Sequence, residues 1–172
     1  MRWLRKGEQK PESGSSIDIR MLERKLGVRI GERGKTALSL ARVEMDRSNH
    51  RELGAEHVIV GVLEEGGPAA QLLVEHGMTL DQARARIAEA LWEAGDSVGK
   101  VGLTSEAENI LAIAAEAAGT RGQPAIEPEH IAYGFACSGF EITSRVVHMI
   151  GVDQPKLLEA SERLLSRTSP PG

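Results

Sequence analysis

Two stretches decide the fold of this chain: LGAEHVIVG at residues 53–61 and IEPEHIAYG at residues 126–134. Each carries a Glu-His pair with a glycine four residues after the histidine, and the pairs lie 129 − 56 = 73 residues apart. At the same shift, apolar residues outside these stretches also coincide, as Leu38 does with Leu111. Self-similarity at one fixed offset is the sequence signature of an internal repeat. The chain is therefore predicted to contain one structural unit twice.

Each copy is predicted to fold as four helices, because apolar residues recur at helical spacing between Gly, Pro and Thr breaks. Aromatic residues make up only 3% of the chain, and stretches typical of strands are nearly absent. The predicted fold class is all-α, with two tandem pseudo-symmetric four-helix repeats, about eight helices. The predicted helices are Glu32 to Arg47, one opened by Gly54, one with Pro68 in its first turn and one capped by Thr79, then Ser105 to Ala118 capped by Thr104, one with Pro128 in its first turn, Glu141 to Ile150, and Gln154 to Leu165.

The boundaries of the copies follow from the 73-residue shift and from a Gly-containing stretch between them. An extra N-terminal amphipathic helix is expected ahead of the first copy, and disorder is expected at both chain ends. The predicted divisions are an N-terminal extension at 1–29 with a helix at 17–26 and disorder at 1–16, repeat one at 30–94, a linker at 95–102, repeat two at 103–166, and a tail at 167–172 that is disordered from residue 169.

Charge and composition exclude several classes of function. The net charge is −4 and the basic residues are scattered, which argues against a nucleic-acid partner. No apolar run approaches the ~20 residues of a membrane span, and no signal segment is evident, so a cytoplasmic protein without a membrane partner is expected. The single cysteine, Cys137, fits a reducing compartment.

The segment GERGKT at residues 31–36 ends like a phosphate-binding P-loop. That motif needs a glycine five residues before Gly34, where Arg29 stands, and it needs a preceding strand, which is not predicted. The repeat also aligns Gly34 with a helical position of the second copy. The segment is therefore interpreted as the start of a helix.

The repeat resembles the Clp N-terminal repeat (Clp R) domain, which precedes the ATPase modules of ClpA- and ClpC-type unfoldases. The resemblance rests on GAEHVIVGVLEEG at 54–66 with EHGM at 75–78, and on IEPEHIAYG at 126–134 with MIGVD at 149–153. It covers nearly the whole chain from Ile30 to Leu165. Because no ATPase module follows within these residues, the chain is most similar to the standalone members of the family.

The resemblance implies a non-catalytic protein-interaction module that serves a Clp unfoldase and protease as accessory, adaptor or regulator. The implied partners are Clp unfoldase or protease subunits, adaptors or client proteins, and no cofactor is expected. The alternative is a small-ligand receptor that binds or sequesters phosphoarginine or cyclic-peptide antibiotics. An enzyme is not predicted, because no catalytic constellation is found.

The family's phosphoarginine sites transfer to this chain as Thr104 with Glu129 and as Gly31 with Glu56. Gly31 lacks the hydroxyl of the family pattern, although Arg33 and Lys35 keep that helix basic. The second site carries Glu106 and Glu108, whose charge would repel a phosphate. The apolar contacts for peptide antibiotics would be Ile30 and Leu103.

A purely structural interpretation of the Glu-His pairs stands beside the ligand-binding one. Carboxylates such as Glu56 and Glu129 are favoured in the first turn of a helix by its dipole and free N–H groups. His57 and His130 would then pack inward. A metal site is not predicted, since the sequence lacks further ligands at helical spacing.

Overall fold

The described part of the chain consists of helices and of two pairs of very short strands. The computed structural model describes residues 17–85, 88, 102–138 and 150–168. Residues 80–85 and 88 are helical. No helix in these ranges is both long and apolar enough to cross a bilayer. The elements are α1 Ile19–Leu26, β1 Arg29–Ile30, α2 Glu32–Arg47, β2 Glu52–Leu53, α3 Ala55–Glu65, α4 Pro68–Glu75, β3 Gly102–Leu103, α5 Ser105–Thr120, β4 Ala125–Ile126, α6 Pro128–Cys137 and α7 Gln154–Thr168.

The predicted all-α fold class is confirmed. Helix α2 has the predicted limits, while α5 ends at Thr120 and α7 at Thr168, two and three residues later than expected. The Thr104 hydroxyl caps α5 by accepting the Ala107 N–H at 3.2 Å. The predicted segments that lie outside the described residues are 1–16, most of 86–101, 139–149 and 169–172.

The strand pairs join the two repeats and were not predicted. Strand β1 runs parallel to β4, with Ile30 opposite Ile126, and β2 runs parallel to β3, with Leu53 opposite Leu103. Two-residue strands are too short to show the alternating pattern by which strands are recognised. The 73-residue shift carries β1 onto β3 and β2 onto β4, so the two pairs are exchanged by the pseudo-twofold axis.

A strand therefore does precede the P-loop-like segment, contrary to the prediction. It is only the two-residue β1, and residues 34–36 lie within helix α2 rather than in a loop. Because the segment is helical, its backbone N–H groups cannot form the cradle that a P-loop offers to phosphates.

Each repeat packs its first two helices in close contact at a glycine. A Cβ placed on Gly61 would lie 2.1 Å from the Ala37 carbonyl oxygen, and one on Gly134 would lie 2.4 Å from the Ile110 carbonyl oxygen. Positions 37 and 110 are themselves 73 residues apart, so the same contact occurs in both copies. The largest fully buried side chains come from both repeats and form one continuous core; they include Phe135, Ile59, Leu38, Leu73, Leu111 and Leu157.

The expected extra N-terminal helix is present as α1. Asp18 caps it by accepting the Met21 N–H at 3.0 Å, and Leu22 is buried in the core. Its Glu23 carboxylate accepts the Ile30 N–H at 2.8 Å, and Lys25 forms a 2.6 Å ion pair with Glu108. Helix α1 is thus attached to both repeats.

Candidate binding site between the repeats

The start of α2 is capped by a side chain from the other repeat. Gly31 occupies the N-cap position and has no side chain of its own. The Glu127 carboxylate fills that space, 1.8 Å from where a Cβ on Gly31 would lie, and its Oε2 accepts the Gly34 N–H at 3.0 Å. Free N–H groups at a helix start favour an anion. Glu127 therefore supplies the anion that an external ligand would otherwise bring.

The start of α5 shows the opposite distribution of side chains. Thr104 caps this helix itself, and Gly54 stands at the position that corresponds to Glu127. The backbone contacts are equivalent, because Thr104 N–H donates to Leu53 O at 3.1 Å and Gly31 N–H donates to Ile126 O at 2.9 Å. One helix start is capped from within its repeat and the other from across the repeats.

At the α2 start, Arg33 binds the Glu129 carboxylate, which is the group that would otherwise bind a ligand's guanidinium. Its Nη1 donates to Glu129 Oε1 at 2.8 Å, while Nε and Nη2 bind both oxygens of Glu65 at 2.7 and 2.8 Å. Glu129 is buried, and the hydrogen bond to Glu65 raises the pKa of Arg33 well above its usual range. A bidentate pair of this kind is among the stronger ion pairs in proteins. The pair holds Arg33 in place over Glu129.

The α5 start contains buried acidic groups from both repeats. Glu56 is 6% exposed, and its carboxylate oxygen lies 2.1 Å from where a Cβ on Gly54 would stand. Burial, together with the smaller effect of the Glu106 charge, raises the pKa of Glu56 to about 7. Glu106 is also buried and lies two residues after Thr104. This half of the site disfavours an added anion.

The two paired histidines have a structural role at the starts of α3 and α6. Gly54 N–H donates to His57 Nδ1 at 2.9 Å, and Glu127 N–H donates to His130 Nδ1 at 3.0 Å. Each ring thereby closes the helix start in the manner of a capping box. Because the backbone N–H is always a donor, each Nδ1 is unprotonated and the ring proton is assigned to Nε2.

His50, Glu56 and His57 bring three potential metal ligands within 4.8 Å of one another. The arrangement does not suit a divalent metal, because both nitrogens of His57 are engaged. Nδ1 accepts the Gly54 N–H, and Nε2 faces His50 Nδ1 at 2.8 Å, where its proton is required. A metal ligand normally donates its second ring N–H rather than accepting from a neighbour. We interpret the cluster as a buried hydrogen-bonded pair beside a carboxylate.

Comparison with known proteins places this geometry in one family, although no family model matches the chain. The chain is 31% identical over 143 residues to the ATP-dependent Clp protease ATP-binding subunit ClpA homolog of Cyanidium caldarium, a match that covers 82% of this chain and 17% of that protein. It is 26% identical over 138 residues to the negative regulator of genetic competence ClpC/MecB of Bacillus subtilis, covering 80% and 17%.

Solved structures agree. The N-terminal domain of the chaperone ClpD from Arabidopsis thaliana matches with a TM-score of 0.64 at 22% identity, covering 80% of this chain and 95% of that domain. The Hsp104 N-terminal domain from Candida albicans matches with a TM-score of 0.64 at 11% identity, covering 82% and 93%. The chain is therefore similar to Clp N-terminal domains in sequence and in fold. It spans about one sixth of the length of the two relatives named above.

In this Clp N-domain-like structure, predicted site residues of one repeat lie beside those of the other repeat. Arg33 beside Gly31 meets Glu129, and the charge of Glu106 beside Thr104 acts on Glu56. The sequence-based pairing was Thr104 with Glu129 and Gly31 with Glu56, whereas the structure places Gly31 and Arg33 beside Ile126 and Glu129. The cause is the crossed pairing of strands, which sets the start of each first helix beside the start of the other copy's second helix.

Three other predicted site residues lie outside the two helix-start contacts described above. Ile30, predicted as an apolar contact for a ligand, is 1% exposed and packs in the core. Leu103 is half-buried and lines a cavity beside α1. Lys35 pairs with the exposed Glu32 at 2.7 Å rather than with the site. Glu127 and Glu65 were not predicted as site residues. One signal for Glu127 was present in the repeat alignment, because Glu127 aligns with Gly54 just as Thr104 aligns with Gly31.

Gly31 and Glu127 should behave as an energetically coupled pair. Glu127→Gly removes the cap of α2 and should lower the free energy of unfolding by about 1 kcal/mol. Gly31→Thr should destabilise as well, because its side chain would meet the Glu127 carboxylate. The double variant reproduces the Thr104 and Gly54 arrangement and should recover much of the loss. Urea denaturation of the four proteins measures the coupling, and purely additive effects would contradict this account.

Proposed function

We propose that this Clp N-terminal repeat domain binds proteins of a Clp unfoldase and protease and acts there as an accessory, adaptor or regulator. The observation that supports this most directly is the extent of the structural similarity, which covers 95% of the N-terminal domain of ClpD. The relatives are named as an ATP-binding subunit of the Clp protease and as Clp chaperones. A domain of this kind contributes through the surfaces it presents to other proteins.

The closed α2 start argues against phosphoarginine as the principal ligand. A phosphoarginine side chain needs a free carboxylate for its guanidinium and a free helix start for its phosphate. Arg33 already binds Glu129, and Glu127 already binds the Gly34 N–H. At the α5 start, Glu106 lies buried two residues after Thr104, and a negative charge there would repel a phosphate. We therefore infer that the domain recognises the surface of its partner protein and not a phosphoarginine side chain.

The proposal is tested by adding the purified full chain to the Clp unfoldase and protease of the source organism. We expect the chain to associate with the unfoldase in sedimentation experiments and to change, in a saturable manner, the rate at which an unfolded protein is degraded. Free phosphoarginine at millimolar concentration should neither compete nor raise the melting temperature of the chain, since a ligand of the native state must stabilise it.

A matched arm uses the double variant Gly31→Thr/Glu127→Gly, which replaces the carboxylate cap of α2 with a threonine cap like that of α5. This variant should keep the effect on degradation. The proposal is abandoned if the native chain neither associates with the unfoldase nor alters degradation. Stabilisation of the native chain by phosphoarginine would instead support the small-ligand receptor.

A further inference from the structure

Helix α1 forms one wall of a cavity that lies apart from the two helix starts. The cavity has a volume of about 350 Å³ and is bounded by α1, α2, the β2 and β3 pair, and α5. This volume falls in the range of small-molecule sites. Its lining residues are Ile17, Asp18, Met21, Leu22, Lys25, Arg42, Met45, Arg51, Leu53, Gly102, Leu103 and Glu108.

The interior of the cavity is apolar and adaptable. Leu22, Met45 and Leu53 belong to the core and form its floor, while Leu103 is half-buried at its side. Met21 is 60% exposed and stands at the edge. Methionine side chains are unbranched and polarizable, so they adjust to the shape of an apolar guest.

The charged residues around the cavity leave one cation available. Lys25 is paired with Glu108, and Arg42 is hydrogen-bonded to Asp46. The Asp18 carboxylate caps α1. Within the part of the chain that the structure describes, Arg51 forms no ion pair or hydrogen bond. A guanidinium at the edge of an apolar cavity is suited to a carboxylate.

We propose that this cavity binds a small apolar carboxylate, with its hydrocarbon body between Met21, Met45 and Leu103 and its carboxylate on Arg51. The walls come from four elements and enclose a limited volume, which favours a compact molecule over an extended polypeptide. The site involves neither Glu129 nor Glu56, so it is separate from the two helix starts described above.

The test uses the full chain labelled with ¹³C at the methionine methyl groups, titrated with octanoate and with the uncharged analogue 1-octanol. The methyl signals of Met21 and Met45 should shift in a saturable manner. The signal of Met78, which is buried away from the cavity, should stay unchanged. Octanoate should bind about fivefold more tightly than 1-octanol, because the rim pair with Arg51 is partly screened by solvent.

Two substitutions separate the carboxylate contact from general effects. Arg51→Gln should reduce the affinity for octanoate to that for 1-octanol and leave the affinity for 1-octanol unchanged. Arg20→Gln removes the same charge from an exposed position on α1 outside the cavity and should change neither affinity. Met21→Trp, at an exposed position, should obstruct the entrance and weaken both ligands.

The proposal is overturned if octanoate and 1-octanol bind equally, or if neither shifts Met21 and Met45. Equal shifts at Met78 would show a general effect on the fold and would also overturn it. A third probe, acetyl-leucyl-leucine with a free carboxylate, distinguishes the source of the ligand. If it binds more tightly than octanoate, the assignment to a small molecule is wrong and a polypeptide C-terminus is the occupant.

Discussion

Replacing Gly61 with alanine is expected to lower the free energy of unfolding by about 3 kcal/mol. The new Cβ would lie 2.1 Å from the Ala37 carbonyl oxygen, 2.8 Å from the Ala41 nitrogen and 2.9 Å from the Ala41 Cβ. These are backbone and short side-chain atoms that cannot rotate away, so α2 and α3 must separate. Gly134→Ala should behave similarly, since its Cβ would meet the Ile110 carbonyl oxygen at 2.4 Å.

Gly119→Ala supplies the matched control. Gly119 also lies in a helix, but a Cβ there has no neighbour within 4 Å. Alanine is the better helix former by roughly 0.5–1 kcal/mol, so this variant should be slightly more stable than the native chain. Urea denaturation gives the three free energies of unfolding. If Gly61→Ala were as stable as Gly119→Ala, the close helix contact would be refuted.

Glu56→Gln is expected to gain stability relative to the native chain as the pH rises. The pKa of Glu56 is raised from 4.5 to about 7 in the folded chain, mainly by burial. As the pH rises from 4.5 to about 7, the unfolded chain releases a proton that the folded chain retains, so the native chain loses stability over this window. The glutamine variant does not titrate there. The difference in unfolding free energy should grow by roughly 3 kcal/mol across the window.

His57 has the opposite dependence on pH. Burial lowers the pKa of His57 from 6.5 to about 4, so its contribution to stability is lost as the pH falls from 6.5 through 4. In the native chain, the two contributions therefore oppose each other between pH 4.5 and 6.5. Glu56→Gln removes one of them and should expose the acid sensitivity that comes from His57.

Urea denaturation of the native chain and of Glu56→Gln at pH values of about 4.5, 6.5 and 8 measures both effects. Glu116→Gln removes a carboxylate from an exposed position of α5 and serves as the charge control. A constant difference in stability between Glu56→Gln and the native chain at all three pH values would disprove the raised pKa.

Local patterns in the sequence were sufficient to predict the helices and the duplication. The Thr104 cap, Pro68 in a first turn and the limits of α2 all depend on a few neighbouring residues, and each is found as predicted. Glycine occurs at the equivalent positions 61 and 134 of the two repeats. The structure explains this identity, because two helices approach each other closely at each glycine.

The partners of the site residues could not be predicted from such local patterns. Arg33 is 96 residues from Glu129 in the chain, and no pattern within one repeat connects the two. The crossed strand pairs that bring these residues together are two residues long and leave no periodic signal. The contact between Arg33 and Glu129 was not predicted for this reason.

The crossed strand pairing also has a consequence for how a duplicated gene product can change over time. Because each of the two helix starts contacts the opposite half, its cap can come from either half, and neither half is free to drift independently. A cap lost at Gly31 coincides with a carboxylate present at Glu127, and a cap kept at Thr104 coincides with a bare Gly54. Related chains should therefore vary at these positions in linked pairs, with a side chain on one member whenever the other is glycine.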